Sequence, residues 1–415
     1  MSKLKRSSDL FQRGLVFINS PMAMGIVAQA SSSGVSFLLN LVLVATLSPD
    51  RFGEYSAAIT VVYFLSGLGA ALWTTQVTVF DEATDEVGRR VHFKGHLPPF
   101  KWMTVLTVMA LLWLGLSHAP TGGAKVISAP VVLSILLCAY GFFLKEYLVR
   151  FTYNSSSLTN TAVAQVLFAV TSLTCFFLVK ILKVDQIFEG VFISLAAGNF
   201  AAFLYIYVRF DFFKTEATPG LSFEKYLRPG MYGAFSHVLS CLRNYGYVYI
   251  SPMFIGMRGL AEINAARITT SISSITTPPL TQIHQAKMIR KEPDGAIQRS
   301  RRQILLVTVL SSLPIAAAYP YLSQTVLSKY DDLFLLVMLW CVQALAAAYR
   351  STLEVEILVQ HMFRVLSITN AIALVCTVVL VVVLSYMFGA TGALIALIAA
   401  EVIASIAFKV LQKFY

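Results

Sequence analysis

Charge is missing from this chain in long blocks, and that limits its fold more than any motif does. No Asp, Glu, Lys or Arg occurs in 14–49, 55–80, 102–124, 126–144, 151–179 or 190–208, nor in 268–286, 303–328, 333–349 or 365–400. A helix needs about 20 apolar residues to cross the hydrocarbon of a bilayer, and a backbone inside it must satisfy its own hydrogen bonds. Outer-membrane strands alternate apolar and polar residues over about ten positions, whereas these runs are continuous and longer. The blocks therefore predict an all-α polytopic membrane protein. We place twelve spans at about 20–46, 52–78, 101–118, 129–150, 158–180, 187–208, 229–254, 259–284, 303–326, 333–352, 364–387 and 391–412. The last two are separated by the turn Gly389-Ala-Thr-Gly392.

Composition narrows the class. Of 415 residues 57% are hydrophobic and 13% charged, about half the charge of an average soluble chain. A cytosolic enzyme, a secreted disulfide scaffold and a disordered protein are excluded together. The net charge of +11 would suggest nucleic acid in a soluble protein, but here it follows from topology. With the N-terminus in the cytoplasm, 24 of the 32 Lys and Arg fall on the inner side and 6 on the outer, a strong positive-inside asymmetry. Lys145, Arg150, Arg228, Arg350 and Arg364 are counted among the inner residues, and both termini are cytoplasmic. Arg243 and Arg267 are left over, inside spans.

The three longest connections, near 79–100, 209–228 and 285–302, are cytoplasmic and basic, and no exterior loop is large enough to fold as a domain. The N-terminal apolar run is too long for a cleavable signal. The five cysteines lie in apolar spans without CxxC spacing, so neither a disulfide nor a metal site is expected. The six histidines are scattered, and His92 and His96 have no acidic or cysteine ligand near them in the sequence. With no Walker A, HExxH or GxSxG motif, the chain is read as a non-enzyme that needs no cofactor.

An internal echo divides the chain. Residues 142–180 and 349–385 each carry charges near a cytoplasmic helix end, a short polar turn, then an apolar helix with an amide near its start, Gln165 and Asn370. This predicts two pseudo-symmetric six-helix lobes, 1–208 and 229–415, joined by a cytoplasmic linker at 209–228, with the pseudo-twofold axis along the membrane normal.

Chemistry is expected where charge sits inside the bilayer. An arginine at a helix centre costs roughly 2.5–3.5 kcal/mol on insertion scales, so it persists where it meets a partner or water. Arg243 has fourteen uncharged residues on either side. Helical spacing puts Ser236, Ser240, Arg243 and Tyr247 on one face, and Asn264, Arg267, Ser271 and Ser274 on another. Gln29, Ser33, Ser36 and Asn40 form an uncharged stripe on the first span. The stripes fit a shared hydrated cavity, although serines also let helices pack closely, and the arginines also fit buried pairs with Glu262, Glu401 or Glu54. Glu401 is either a proton-coupling carboxylate or a structural partner of Lys409 or Arg364. Pro278-Pro279 removes two backbone donors and predicts a kink or break.

Two stretches resemble a known family. LSPDRFGEYSAAITVVYFLSGLGAAL (47–72) is similar to the first outer turn and second helix of polysaccharide flippases, where a Gly/Ser-Pro-x-x-Phe-Gly-x-Tyr turn is common. NYGYVYISPMFIGMRGLAEINAARITTSISSITTPPLTQIHQAKM (244–288) resembles their seventh-to-eighth helix hairpin. The resemblance is to O-antigen-type (Wzx-like) flippases of the multidrug/oligosaccharidyl-lipid/polysaccharide (MOP) superfamily, and it implies a MATE-like fold in the bacterial inner membrane. It further implies a carrier that moves an undecaprenyl-diphosphate-linked glycan to the outer leaflet by alternating access, alongside other polysaccharide-assembly proteins. Arg243 and Arg267 would then hold the diphosphate by charge-assisted hydrogen bonds, and stripe residues would contact sugars. A multidrug exporter of the same fold is the alternative and would need acids in the cavity. An integral-membrane glycosyltransferase or polymerase would need a large catalytic loop, which the sequence lacks.

Overall fold

The structure, a computed structural model, describes residues 21–74, 86–95, 129–155, 157–181, 187–215, 235, 238–289, 293–330, 333–360, 362–412 and 414. Every regular element among the described residues is helical. In order they are α1 (Pro21–Thr46), α2 (Pro49–Gly69) with a π-helical turn after it (Ala70–Thr74), α3 (Glu86–Gly95), α4 (Ala129–Asn154), α5 (Leu158–Ile181) and α6 (Ile187–Arg209). There follow α7 (Tyr247–Ile250), α8 (Pro252–Ile289), α9 (Asp294–Gln324), α10 (Phe334–Val359) and α11 (Phe363–Leu411); residues 238–245, just before α7, are also helical.

Six helices among the described residues are long and apolar enough to cross a bilayer, in α4, α5, α6, α9, α10 and α11. The expected spans at 20–46, 52–78 and 259–284 fall on α1, α2 and α8. The one at 229–254 falls partly on helical residues, and the one at 101–118 lies outside the described residues. Of the kink or break expected at Pro278-Pro279, the break is not found: α8 runs on as helix to Ile289.

Glycine makes the breaks instead. Within α8 the one residue with non-helical torsions is Gly256, at φ 69° and ψ 177°, a combination essentially reserved for glycine. The chain folds back there, because Tyr247 and Asn264, 17 residues apart, are hydrogen-bonded. Gly53 of the Phe-Gly-x-Tyr turn packs against this corner: a Cβ at Gly53 would lie 2.5 Å from the carbonyl oxygen of Met257. Phe52 and Tyr55 beside it are buried. Gly256→Ala is therefore expected to cost about 1–3 kcal/mol, read as a lower unfolding midpoint in detergent. Gly256→Asn should not rescue it, since asparagine tolerates the left-handed helical region and not this extended one. A second break, at Gly389 (φ 61°, ψ −138°), splits α11 into two helices.

The chain forms two compact units. In the first, to which 129–215 belong, α6 packs on both α4 and α5. The Thr152 and Thr161 hydroxyls bond at 2.6 Å, and the Tyr205 hydroxyl donates to Asn160 Oδ1 at 2.9 Å. The amphipathic α3 is pinned to the same unit. Its Phe93 is enclosed with Tyr147 and Phe151, the Tyr147 hydroxyl donates to the Phe93 carbonyl at 2.8 Å, and Lys94 donates to the Phe213 and Thr215 carbonyls. Phe37–Thr60 and Phe235–Tyr415 belong to the second unit, where α10 packs on α8, α9 and α11. The Tyr249 hydroxyl donates to Ala57 O at 3.0 Å, and His284 and Arg301 both approach Glu356. These contacts tie neighbouring helices together by their ends.

Candidate functional site

The corner at Gly256 determines which polar side chains meet. It sets α7 against α8, so the Tyr247 hydroxyl donates to Asn264 Oδ1 at 2.9 Å and accepts from Arg267 Nη1 at 3.2 Å. The Arg267 guanidinium carbon also lies 5.1 Å from the Tyr245 ring centroid and 5.5 Å from that of Trp340, close enough for cation–π attraction. Trp340 is fixed by donating from Nε1 to the Ile263 carbonyl at 2.9 Å. No carboxylate among the described residues pairs with Arg267. Glu262 pairs with Arg258 at 3.7 Å and Glu54 with Arg51 at 2.9 Å, so neither serves the intramembrane arginines. Asn264 Nδ2 is buried without a hydrogen-bond partner. The result is a cation with π faces and a phenol around it and a spare amide donor on the next turn.

Arg243 lies in different company. It is 3% exposed and donates from Nη1 to Asn370 Oδ1 at 2.7 Å and from Nε to Asn244 Oδ1 at 3.2 Å. It also feels the charges of Arg350, Glu354 and Glu401. Glu401 accepts from Arg350 Nε at 2.5 Å, and Arg350 Nη1 binds Glu354 one turn along α10. The carboxylate thus pairs with Arg350 and not with the expected Lys409; the side chain of Arg364, the other expected partner, lies outside those described. Two arginines and two glutamates balance one another, which a buried cluster requires, because a lone buried ion costs several kcal/mol.

The remaining expected residues are more dispersed. Ser271 donates to the Ile268 carbonyl at 2.7 Å and Ser36 to the Ser32 carbonyl at 3.4 Å, so both hydroxyls are occupied by their own helices. Ser240, Ser33 and Asn40 are half-buried, and Gln29 lies on α1. Ser236 is outside the described residues.

Two residues counted on the inner side are buried. Arg350 is 7% exposed. Lys145 is 0% exposed and sits 4.3 Å from the Phe168 ring centroid and 4.6 Å from that of Phe142. It donates to Gln165 Oε1 at 3.4 Å and pairs with Glu146 at 3.3 Å. The positive-inside rule counts charges near helix ends and is silent on which face of the helix they occupy. A signal was present: Lys145 and Gln165 are 20 residues apart, as are Arg350 and Asn370. Each unit buries a cation on the helix before the echo's amide.

No protein-family model and no curated protein matches the chain. Solved structures do. It is similar to a lipid II flippase MurJ in an inward closed conformation, with TM-score 0.70 and 12% identity over 94% of this chain and 87% of that one. It is equally similar to an inward-facing multidrug resistance MATE transporter of the MOP superfamily, with TM-score 0.70 and 12% identity over 95% and 98%. A MOP superfamily transporter from Pyrococcus furiosus, whose binding pocket is described as of reversed polarity, aligns with TM-score 0.57 and 11% identity over 95% and 91%. The chain has the fold these transporters share.

Proposed function

We propose that the chain is a flippase that carries an undecaprenyl-diphosphate-linked oligosaccharide, of the O-antigen or a related polysaccharide, across the bacterial inner membrane by alternating access. The observation that carries this reading is Arg267, a cation among the spanning helices that no described carboxylate neutralises. A diphosphate dragged bare through hydrocarbon meets a prohibitive desolvation cost, which charge-assisted hydrogen bonds from a fixed guanidinium offset. The buried Asn264 Nδ2 adds a second donor beside it, and the half-buried Tyr245 supplies a flat surface against which a sugar ring stacks. Arg243, which the sequence suggests as a second anchor, spends its hydrogen bonds on Asn370 and Asn244, so it supports the site by positioning and does not hold the diphosphate.

Export of cationic drugs, the alternative reading, calls for an available acid. The buried Glu401 and its neighbour Glu354 both engage Arg350. The test is translocation of a fluorescent undecaprenyl-diphosphate-linked glycan by purified protein in liposomes, with a cationic dye as competing cargo. Glycan-lipid flipping that fails in Arg267→Ala supports the reading. Dye export with no glycan-lipid flipping overturns it.

A further inference from the structure

Away from these charges, a crevice of about 220 Å³ lies between α10 and the last part of α11, lined by Ala346, Tyr349, Val402, Ser405, Ile406 and Lys409. Its walls are almost wholly apolar. Val402 and Ile406 stand at its rim, 46% and 57% exposed, on a helix that is apolar enough to span a bilayer. Side chains of this kind face hydrocarbon, so the crevice opens to lipid. The Ser405 hydroxyl donates to the Glu401 carbonyl at 2.8 Å and offers nothing further. Apart from the Tyr349 hydroxyl, the remaining polar group of the lining is the Lys409 ammonium, held 5.3 Å from the Tyr349 ring centroid. No carboxylate among the described residues pairs with it. Behind the crevice Leu353, Ile357, Val365, Leu366 and Phe408 form a buried cluster, which gives it a firm floor.

Lys409 stands two residues before the end of α11, at the end that the charge distribution places in the cytoplasm. Cytoplasmic leaflets carry anionic lipid, and basic pockets between spanning helices on that side bind its headgroups. We propose that this crevice is a binding site for one anionic glycerophospholipid of the inner leaflet. Part of an acyl chain lies against Ala346, Val402 and Ile406, and the phosphate rests on Lys409. The aromatic face of Tyr349 keeps the ammonium at the mouth, where it meets the headgroup.

The experiment titrates detergent-purified protein with phosphatidylglycerol or phosphatidylcholine of matched chains and counts retained lipids by native mass spectrometry. Wild type is expected to retain phosphatidylglycerol about fivefold better, the worth of one surface lysine against an anionic headgroup. Lys409→Ala removes the preference, and Ile406→Trp, which fills the crevice, removes the retained lipid of either kind. Both positions are exposed, so the variants keep the fold, and an unchanged elution profile verifies this. Equal retention of the two lipids by wild type overturns the proposal. So does a preference for phosphatidylglycerol that survives either substitution.

Discussion

Arg350→Leu is expected to be the most destabilising single substitution in the second unit, costing about 3–5 kcal/mol. The guanidinium holds Glu401 and Glu354 at once, and its removal leaves the 5%-exposed Glu401 as a buried carboxylate without its hydrogen-bonding cation. Glu354 is the less consequential partner, because its side chain is 28% exposed and reaches water more readily. Removing Glu401 alone should cost less than removing Arg350, since Glu354 still holds the arginine. Replacing Arg350 and Glu401 together by leucine is expected to recover much of the loss, because an apolar pair of similar volume needs no desolvation. The three variants complete a double-mutant cycle, read as unfolding midpoints in detergent. An Arg350→Leu protein as stable as wild type would show that the pair is solvated and not structural.

Arg267→Ala is expected to slow glycan-lipid translocation by about 10- to 100-fold, the range that follows from losing hydrogen bonds to a charged group worth roughly 1.5–3 kcal/mol. Arg267→Lys retains the charge but not the planar fork that grips two oxygens, so it falls between alanine and wild type. Tyr247→Phe leaves the guanidinium its charge and removes the hydroxyl that positions it, and its loss of rate is correspondingly smaller. Arg243→Ala behaves differently. Its hydrogen bonds run to Asn370 and Asn244, so it lowers stability together with transport. Full translocation by a folded Arg267→Ala protein would remove the anion anchor from the mechanism.

The two arginines show how far the sequence could be read. That each lies inside a span follows from counting uncharged neighbours, and the hairpin joining them was visible in the family resemblance. What the count could not supply is partnership. Arg243 and Arg267 carry equal charge on adjacent spans, and only packing decides that one faces α10 and α11 and the other an aromatic enclosure. The same holds for Lys145 and Arg350. Their place along the sequence puts them on the inner side in the charge count, and their burial depends on which helix face the neighbours cover. The turn at Gly389 was legible, because glycines at both ends of a four-residue interval inside an apolar run leave few other conformations. The helix through Pro278-Pro279 was not, since proline removes local donors while tertiary packing decides whether the helix survives.

The break at Gly389 bears on how the protein is made. The insertion machinery meets a stretch from 365 to 400 without one charged residue, inside a 49-residue helical segment that turns back at a single glycine. Between these two helices there is no polar loop to be pulled across the membrane and nothing to hold a half-inserted state at the interface. The charges of the second helix, Glu401 and Lys409, lie toward its far end, away from the turn. The pair is therefore expected to enter the bilayer as one hairpin, closed at the glycine.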